Sequence, residues 1–444
     1  MKASVKCLLV MGTLVPFSPV TWADVIFKED KLTVTNKNFY FYRDFRNGEF
    51  NPAGANKFVP IDEKEGYRSE WAHGLILNYD SGFTDGTVQF GLNAYGLFGF
   101  KLYSDPFKTG TSNLEIDDQG NAKDAFGEVG ASLKVKYNDT VLTYGNQFPN
   151  VPVLWVNTAR LLPSTATGLS LQDKTFENLS LNAGYFYSMN PVDSTEDLNY
   201  FTTDYSVGIQ GDSVKYLGGT YKFPQGSATA YVSELEDVWI QTYAGADYSQ
   251  KINDQQSLKL NFNAYNNQDT GKKNGGDIST TIASAMLGYS LNNHKLSVAY
   301  QQVFGDEPAD WAGFATQGPG IAIANAVQFA TFSEANEKSA QIRYDLDFSP
   351  YGVPGLSFMG RYLYGWDMDN KDSTNAFYTK RHIYDPSVDN KHWERDLQLG
   401  YTVQTGKAKG LNVLLRQATH RSTQGYRYND IDELRVILEY PLSF

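Results

Sequence analysis

Cysteine is nearly missing from this chain: one residue, Cys7, stands among 444. It falls inside the first 23 positions, so once they are removed neither a disulfide framework nor thiolate chemistry is available. Basic charge is also short. The formal net charge is −12, and losing Lys2 and Lys6 with the leader makes the remainder more acidic, which argues against a nucleic-acid partner. Long hydrophobic runs are lacking after position 23, where nothing approaches the roughly 18 apolar residues of a membrane helix. Hydrolase, zinc-protease and phosphate-loop signatures are missing as well. The five histidines are scattered: His73 reads as outward near a strand end, His294 as a turn residue, His382 and His392 as loop residues, and only His420 as a possible inward partner of Arg416. No catalytic residue, metal ligand or cofactor site is expected.

What is present begins with a basic start, an apolar stretch from Cys7 to Val20 and Thr21-Trp22-Ala23. Residues 1–23 therefore read as an export signal removed after Ala23, with 24–444 as a single domain. Pro16 and Pro19 oppose reading the same stretch as a buried helix. The chain carries 30 Tyr, 27 Phe and 7 Trp beside 39 Gly. Abundant aromatics with a negative mean hydropathy suit a membrane β-barrel, whose strands need apolar residues only at alternate positions.

The recurring unit is a short alternating segment ended by turn residues. In Val88–Leu102 the even positions carry Val88, Phe90, Leu92, Phe98, Phe100 and Leu102, and the odd positions Gln89, Asn93 and Lys101, giving one oily and one wet side. At the C-terminus Leu434, Val436, Leu438, Tyr440, Leu442 and Phe444 share a face, with Glu433, Arg435 and Glu439 opposite. An amphipathic last strand ending in an aromatic resembles the signal by which outer-membrane barrels engage their assembly machinery. The same parity places Arg68, Lys134, Lys136, Lys259, Arg343, Arg361, Arg416 and Arg435 on wet faces. Two readings stand: a basic ladder along a pore wall that attracts carboxylates through its summed field, or cations each paired with an interior acid such as Glu70, Asp345 or Glu439. Arg43 breaks the pattern by sharing parity with Phe39 and Phe41, which implies a strand end or a bulge. The segment 148–163 does not alternate, holds three prolines and cannot be a central strand. Its apolar residues need cover, so it is expected to fold into the lumen, narrow it and present Arg160, the alternative being an outward loop packed on neighbouring loops.

A set of short stretches recurs in one order along the chain: Asn38–Asp44, Ser81–Val88, Arg160-Leu161-Leu162-Pro163, Ala299-Tyr300-Gln301, Tyr351–Leu356 and Tyr440-Pro441-Leu442. Through them, over the whole length after the leader, the chain resembles the OprD, or outer-membrane carboxylate channel, porin family. The resemblance implies an all-β transmembrane antiparallel barrel of about 18 strands with an inward constriction loop, and a monomer or weak homotrimer set in outer-membrane lipid and lipopolysaccharide. It carries the ladder over at Arg43, Arg68, Arg416 and Arg435, and the constriction arginine at Arg160. Two further ladder positions fall on Gly400 and Leu414, thinning it. An aromatic and acidic pocket opposite keeps Trp311 and aligns Tyr205, but its aspartate falls on Thr331, with Glu334 three residues on as a substitute. The expected function is a diffusion channel for small anionic or zwitterionic solutes, carboxylate-bearing nutrients such as amino acids or organic acids. The alternatives are an outer-membrane hydrolase with loop-borne catalytic residues and a receptor whose loops bind a partner.

Overall fold

The structure, a computed structural model, describes residues 29–206 and 208–444. The expected export signal at 1–23 lies outside the described residues. Among them, 18 antiparallel strands form one sheet that closes on itself: β1 Lys31–Phe45, β2 Tyr67–Asp80, β3 Val88–Ser104, β4 Ala125–Tyr137, β5 Thr140–Gln147, β6 Thr165–Asp173, β7 Leu179–Asn190, β8 Val214–Phe223, β9 Gly226–Leu235, β10 Trp239–Lys251, β11 Gln256–Asp269, β12 Ser279–Leu291, β13 His294–Phe304, β14 Lys338–Asp347, β15 Leu356–Trp366, β16 Lys391–Thr402, β17 Asn412–Ser422 and β18 Ile431–Ser443. Closure is made where β1 pairs with both β2 and β18, from Arg43 opposite Glu433 down to Thr33 opposite Ser443. A closed barrel satisfies every strand's backbone polar groups within the sheet, which is what a hydrocarbon surround requires.

The alternation decides which side meets lipid. Val88, Phe90, Phe100 and Leu102 of β3 are exposed on the outside, as are Leu133, Tyr137, Leu217, Ile342, Tyr362 and Leu415 elsewhere. Tight turns such as 138–139, 224–225 and 292–293 close one end, and long connections such as 105–124, 148–164, 305–337 and 367–390 crowd the other. That asymmetry is the outer-membrane pattern, with short turns on the periplasmic side.

The buried apolar side chains lie inside the barrel, and inward segments supply many of them. One cluster joins Val153, Leu154 and Val156 of the 148–164 connection to Phe186, Tyr243 and Tyr265 on the wall and to Trp311 and Phe314 of 305–337. A second joins Leu161 and Leu162 to Phe39, Phe41 and Ala72. This accounts for the exception at Arg43. Phe39 and Phe41 face inward, because part of the inner wall is an apolar seat for the inward loop rather than a wet surface. Arg43 points in with them near the end of β1, and no register shift precedes it. Three histidine positions also differ from expectation. His73 lies in the middle of β2, His294 opens β13, and His392 is the second residue of β16, where it bonds His420 at 2.9 Å.

Candidate pore constriction

The 148–164 connection starts as a small hairpin, Asn150 opposite Trp155 and Val151 opposite Leu154. Prolines at 149, 152 and 163 exclude it from the wall, and its apolar residues find cover only in the lumen. Tyr265 donates its hydroxyl to the Pro152 carbonyl at 3.0 Å, and Leu161 N–H donates to Asn113 Oδ1 at 2.9 Å. Arg160 is 7% exposed: its Nε donates to the Thr111 carbonyl at 2.8 Å, and Lys37 Nζ donates to its own carbonyl at 2.6 Å. The 305–337 connection folds inward too and meets the first segment. Gly320 N–H donates to the Trp155 carbonyl at 2.9 Å, and Asn157 donates to the Gly318 carbonyl.

Cross-strand register gathers the predicted arginines on one arc of wall. One row of inward residues runs Arg343, Arg361, Asp396, Ala418, Glu433, Arg43, Arg68 across β14 to β18, β1 and β2. The next row toward the short-turn end runs Asp345, Met359, Gln398, Arg416, Arg435, Phe41, Glu70. The two rows hold six arginines against four carboxylates, so this arc is net positive inside a net-acidic chain. Below them comes Ser357, Gly400, Leu414, Ile437, Phe39, Ala72. The two positions where the resemblance expected cations, Gly400 and Leu414, are direct neighbours here. Leu414 packs on the cluster that seats Leu161 and Leu162, so the charge ends where the inward loop rests.

Most of these cations are paired. Arg43 Nε donates to Glu433 Oε2 at 2.7 Å, Arg435 Nε to Glu433 Oε1 at 2.6 Å, Arg361 Nε to Asp396 Oδ2 at 2.7 Å and Arg343 Nη2 to Asp345 Oδ1 at 2.6 Å. Lys134 is paired with Asp80 and also lies over Phe83; Lys259 reaches Asp247 at 3.6 Å in an open setting. Arg68 donates to Asn51 Oδ1 at 3.1 Å and to the Gly110 carbonyl. Lys136 lies over the Phe83 ring at 5.3 Å, with no ion pair among the described residues. Phe41 is a hub, with the guanidinium carbons of Arg43, Arg160 and Arg435 at 5.3, 5.6 and 5.1 Å from its centroid. Rings of this kind hold cations without neutralising them. Among the described residues Arg416 alone of the row arginines makes neither an ion pair nor a hydrogen bond, and its Nε is without a partner. Glu70 Oε1 and Asp396 Oδ1 are likewise unpartnered. Acids therefore pair most of the wet-face cations, and within the two rows arginines outnumber carboxylates.

The pocket residues divide. Tyr205 and Trp311 come together on Asp310, whose Oδ1 accepts both backbone N–H groups at 2.8 Å, while Tyr378 donates its hydroxyl to Oδ2 at 2.9 Å. Burial pushes the Asp310 carboxyl up to about 7, with Asp204 adding to the rise. Thr331 bonds Ser333 at 2.8 Å instead, while Glu334 accepts from Tyr205 Oη at 3.1 Å and faces Arg427 at 3.4 Å.

Sequence reasoning missed the second inward segment and its contacts with the arginine rows. Gln328 donates to Glu433 at 3.0 Å and accepts from Arg435 at 3.1 Å; Phe329 and Ala330 N–H groups donate to Glu394 at 2.8 and 2.9 Å. The one signal for it is the length of 305–337 together with its apolar and small residues. Lys37 was missed because its inward parity runs with Phe39 and Phe41. A cavity of about 650 Å³ opens at the short-turn end, lined by Lys31, Asp80, Lys134 and the underside of the loop at Phe148 and Val151. Among the described residues no cluster could hold a metal ion.

A closed, lipid-facing barrel narrowed from within by loops that rest on a charged wall is a porin, a multi-pass channel for small solutes in a Gram-negative outer membrane. The chain belongs to the OprD family: the model described as "outer membrane porin, OprD family" matches residues 26–444. It is 38% identical over 423 residues to Porin D of Pseudomonas aeruginosa, covering 94% of this chain and 91% of that one. It is 29% identical over 418 residues to the porin-like protein GalP of Pseudomonas putida, covering 93% and 92%. Among solved structures, Pseudomonas aeruginosa OprD matches with TM-score 0.78 at 34% identity over 94% of this chain and 96% of that one. Pseudomonas aeruginosa OpdK with vanillate matches with TM-score 0.80 at 30% identity over 94% and 100%.

Proposed function

We propose that this porin favours small carboxylate-bearing solutes, amino acids or organic acids, by electrostatic focusing onto the arginine rows and size exclusion at the inward segments. The observation that carries the reading is the excess of arginines over carboxylates in the two rows, with Arg416 unpaired among the described residues. Inside a low-dielectric wall an unpaired cation acts on a passing charge through a field that water and salt screen only in part. Vanillate, the small molecule in the OpdK structure, is itself a carboxylate. Preference for basic amino acids is weak here, because Thr331 carries no charge and Glu334 is already met by Arg427.

The channel acts without catalysis and without a cofactor. Export through cleavage after Ala23, assembly through the terminal Phe444, which is exposed, and a monomer or weak homotrimer complete the reading. In single-channel recordings, millimolar gluconate on one side should interrupt the current, while glucose of the same size should not. Equal silence from both solutes would reject carboxylate preference, and absence of current would reject the channel.

A further inference from the structure

We propose that Arg427 is a tethered occupant of a cation-binding cage above the arginine rows, and that by filling it the chain sets its own rejection of cationic solutes. Arg427 lies in the 423–430 connection between β17 and β18. Its guanidinium carbon is 3.8 Å from the centroid of the Tyr205 ring and 4.1 Å from that of Tyr428. The Glu334 carboxylate, 2% exposed, faces the same guanidinium at 3.4 Å and is oriented by the Tyr205 hydroxyl. Two electron-rich faces and one buried carboxylate around a planar cation are the general recipe for binding guanidinium or ammonium groups.

The occupant is held by rings and charge, not by a full set of hydrogen bonds. A guanidinium has five N–H donors, and a buried one that serves only the fold has most of them matched. Here Nε and Nη1 of Arg427 have no hydrogen-bond partner among the described residues, although the side chain is buried. Such a site is exchangeable: a solute's own guanidinium could stack in the same place if Arg427 left it.

The cage also lies on the route to the arginine rows. The Tyr428 and Phe329 ring centroids are 5.5 Å apart, and the guanidinium carbon of Arg43, in the first row, is 4.7 Å from the centroid of the same Phe329 ring. A cationic solute arriving from the extracellular side needs a negative foothold before it meets the row of arginines. Glu334 would be that foothold, and Arg427 neutralises it; Arg381, 5.3 Å from the Tyr205 centroid, adds a second cation nearby. The inference rests on the proposed function for passage through this lumen, and it names the residue that decides against cations.

The test is liposome swelling by refolded full-length channel with arginine, glutamate and glucose. Arg427→Gln should raise arginine flux relative to glucose by roughly fivefold, the scale of one uncovered aromatic and carboxylate site. The double variant Arg427→Gln with Glu334→Gln should lose that gain. An unchanged arginine ratio in a folded Arg427→Gln barrel, or a gain that persists in the double variant, overturns the proposal. Arg427→Ala, which empties the space between the rings, gives the same reading should the glutamine variant not fold. A native glutamate-to-glucose ratio below one counts against the arginine rows, whereas the cage is read from the arginine ratio of the variant against native.

Discussion

Replacing Arg416 by glutamine tests the charge of the wall with little disturbance to it. Among the described residues the side chain makes no ion pair or hydrogen bond to lose, and its row neighbours are Gln398 and Arg435, so the barrel should fold as before. A carboxylate passing about 6 Å from the guanidinium gains roughly 0.7 kcal/mol in bulk water and about 3 kcal/mol at the effective dielectric of a protein surface. A pore holding water lies between these limits, nearer the first. Glutamate flux relative to glucose should therefore fall roughly three- to tenfold in liposome swelling. Raising ionic strength from about 0.15 M to about 1 M shortens the screening length from roughly 8 Å to 3 Å and should shrink the difference between native and variant toward nothing. Arg435→Gln is the contrast. Arg435 bonds Glu433 and the Gln328 carbonyl, so its loss should loosen the 305–337 segment and change both solutes together, with little salt dependence. If Arg416→Gln slows glutamate and glucose equally, or salt has no effect on their ratio, the field argument is wrong.

Deleting residues 151–158 should raise single-channel conductance while the barrel stays folded, because none of them pairs with a barrel strand; unchanged conductance in a folded deletant would place the segment outside the flow. Thr331→Asp should shift arginine flux upward against glutamate, since one carboxylate at a few ångströms is worth on the order of 1 kcal/mol in a wet pore; a native channel that already prefers arginine strongly, and keeps that preference in Glu334→Gln, would contradict it. Burial has pushed the Asp310 carboxyl up to about 7. The folded segment therefore prefers the protonated acid, and its stability falls as pH rises from about 4 to about 7, staying at the lower value above that. Gating noise should be greater at pH 8 than at pH 5, with Asp310→Asn removing the difference; pH-independent gating in the native channel would count against that assignment.

The fold was legible wherever one face of a strand meets lipid and the other meets water. Val88–Leu102 and the last strand show this directly, and the inward placement of Arg68, Arg361, Arg416 and Arg435 follows from parity alone. Parity misled at Phe39 and Phe41 because it assumes a wet interior, whereas the wall beneath Leu161 and Leu162 is apolar. Prolines and apolar residues announced the 148–163 segment. Glycine and alanine gave the 305–337 segment no comparable signature, and its contacts with Glu394, Glu433 and Arg435 depend on a path no local pattern encodes. The ion pairs were hidden for another reason: Arg361 meets Asp396, and Arg43 meets Glu433, only through cross-strand register, which no single strand reveals.

An excess of lumenal arginine should select carboxylates by charge. The direct measurement is the gluconate-to-glucose flux ratio of the native channel as a function of ionic strength, two solutes of nearly equal size that differ in one carboxylate. The ratio should exceed one at low salt and decline toward one as salt is raised. A ratio at or below one at low salt, or one that ignores ionic strength, would contradict it.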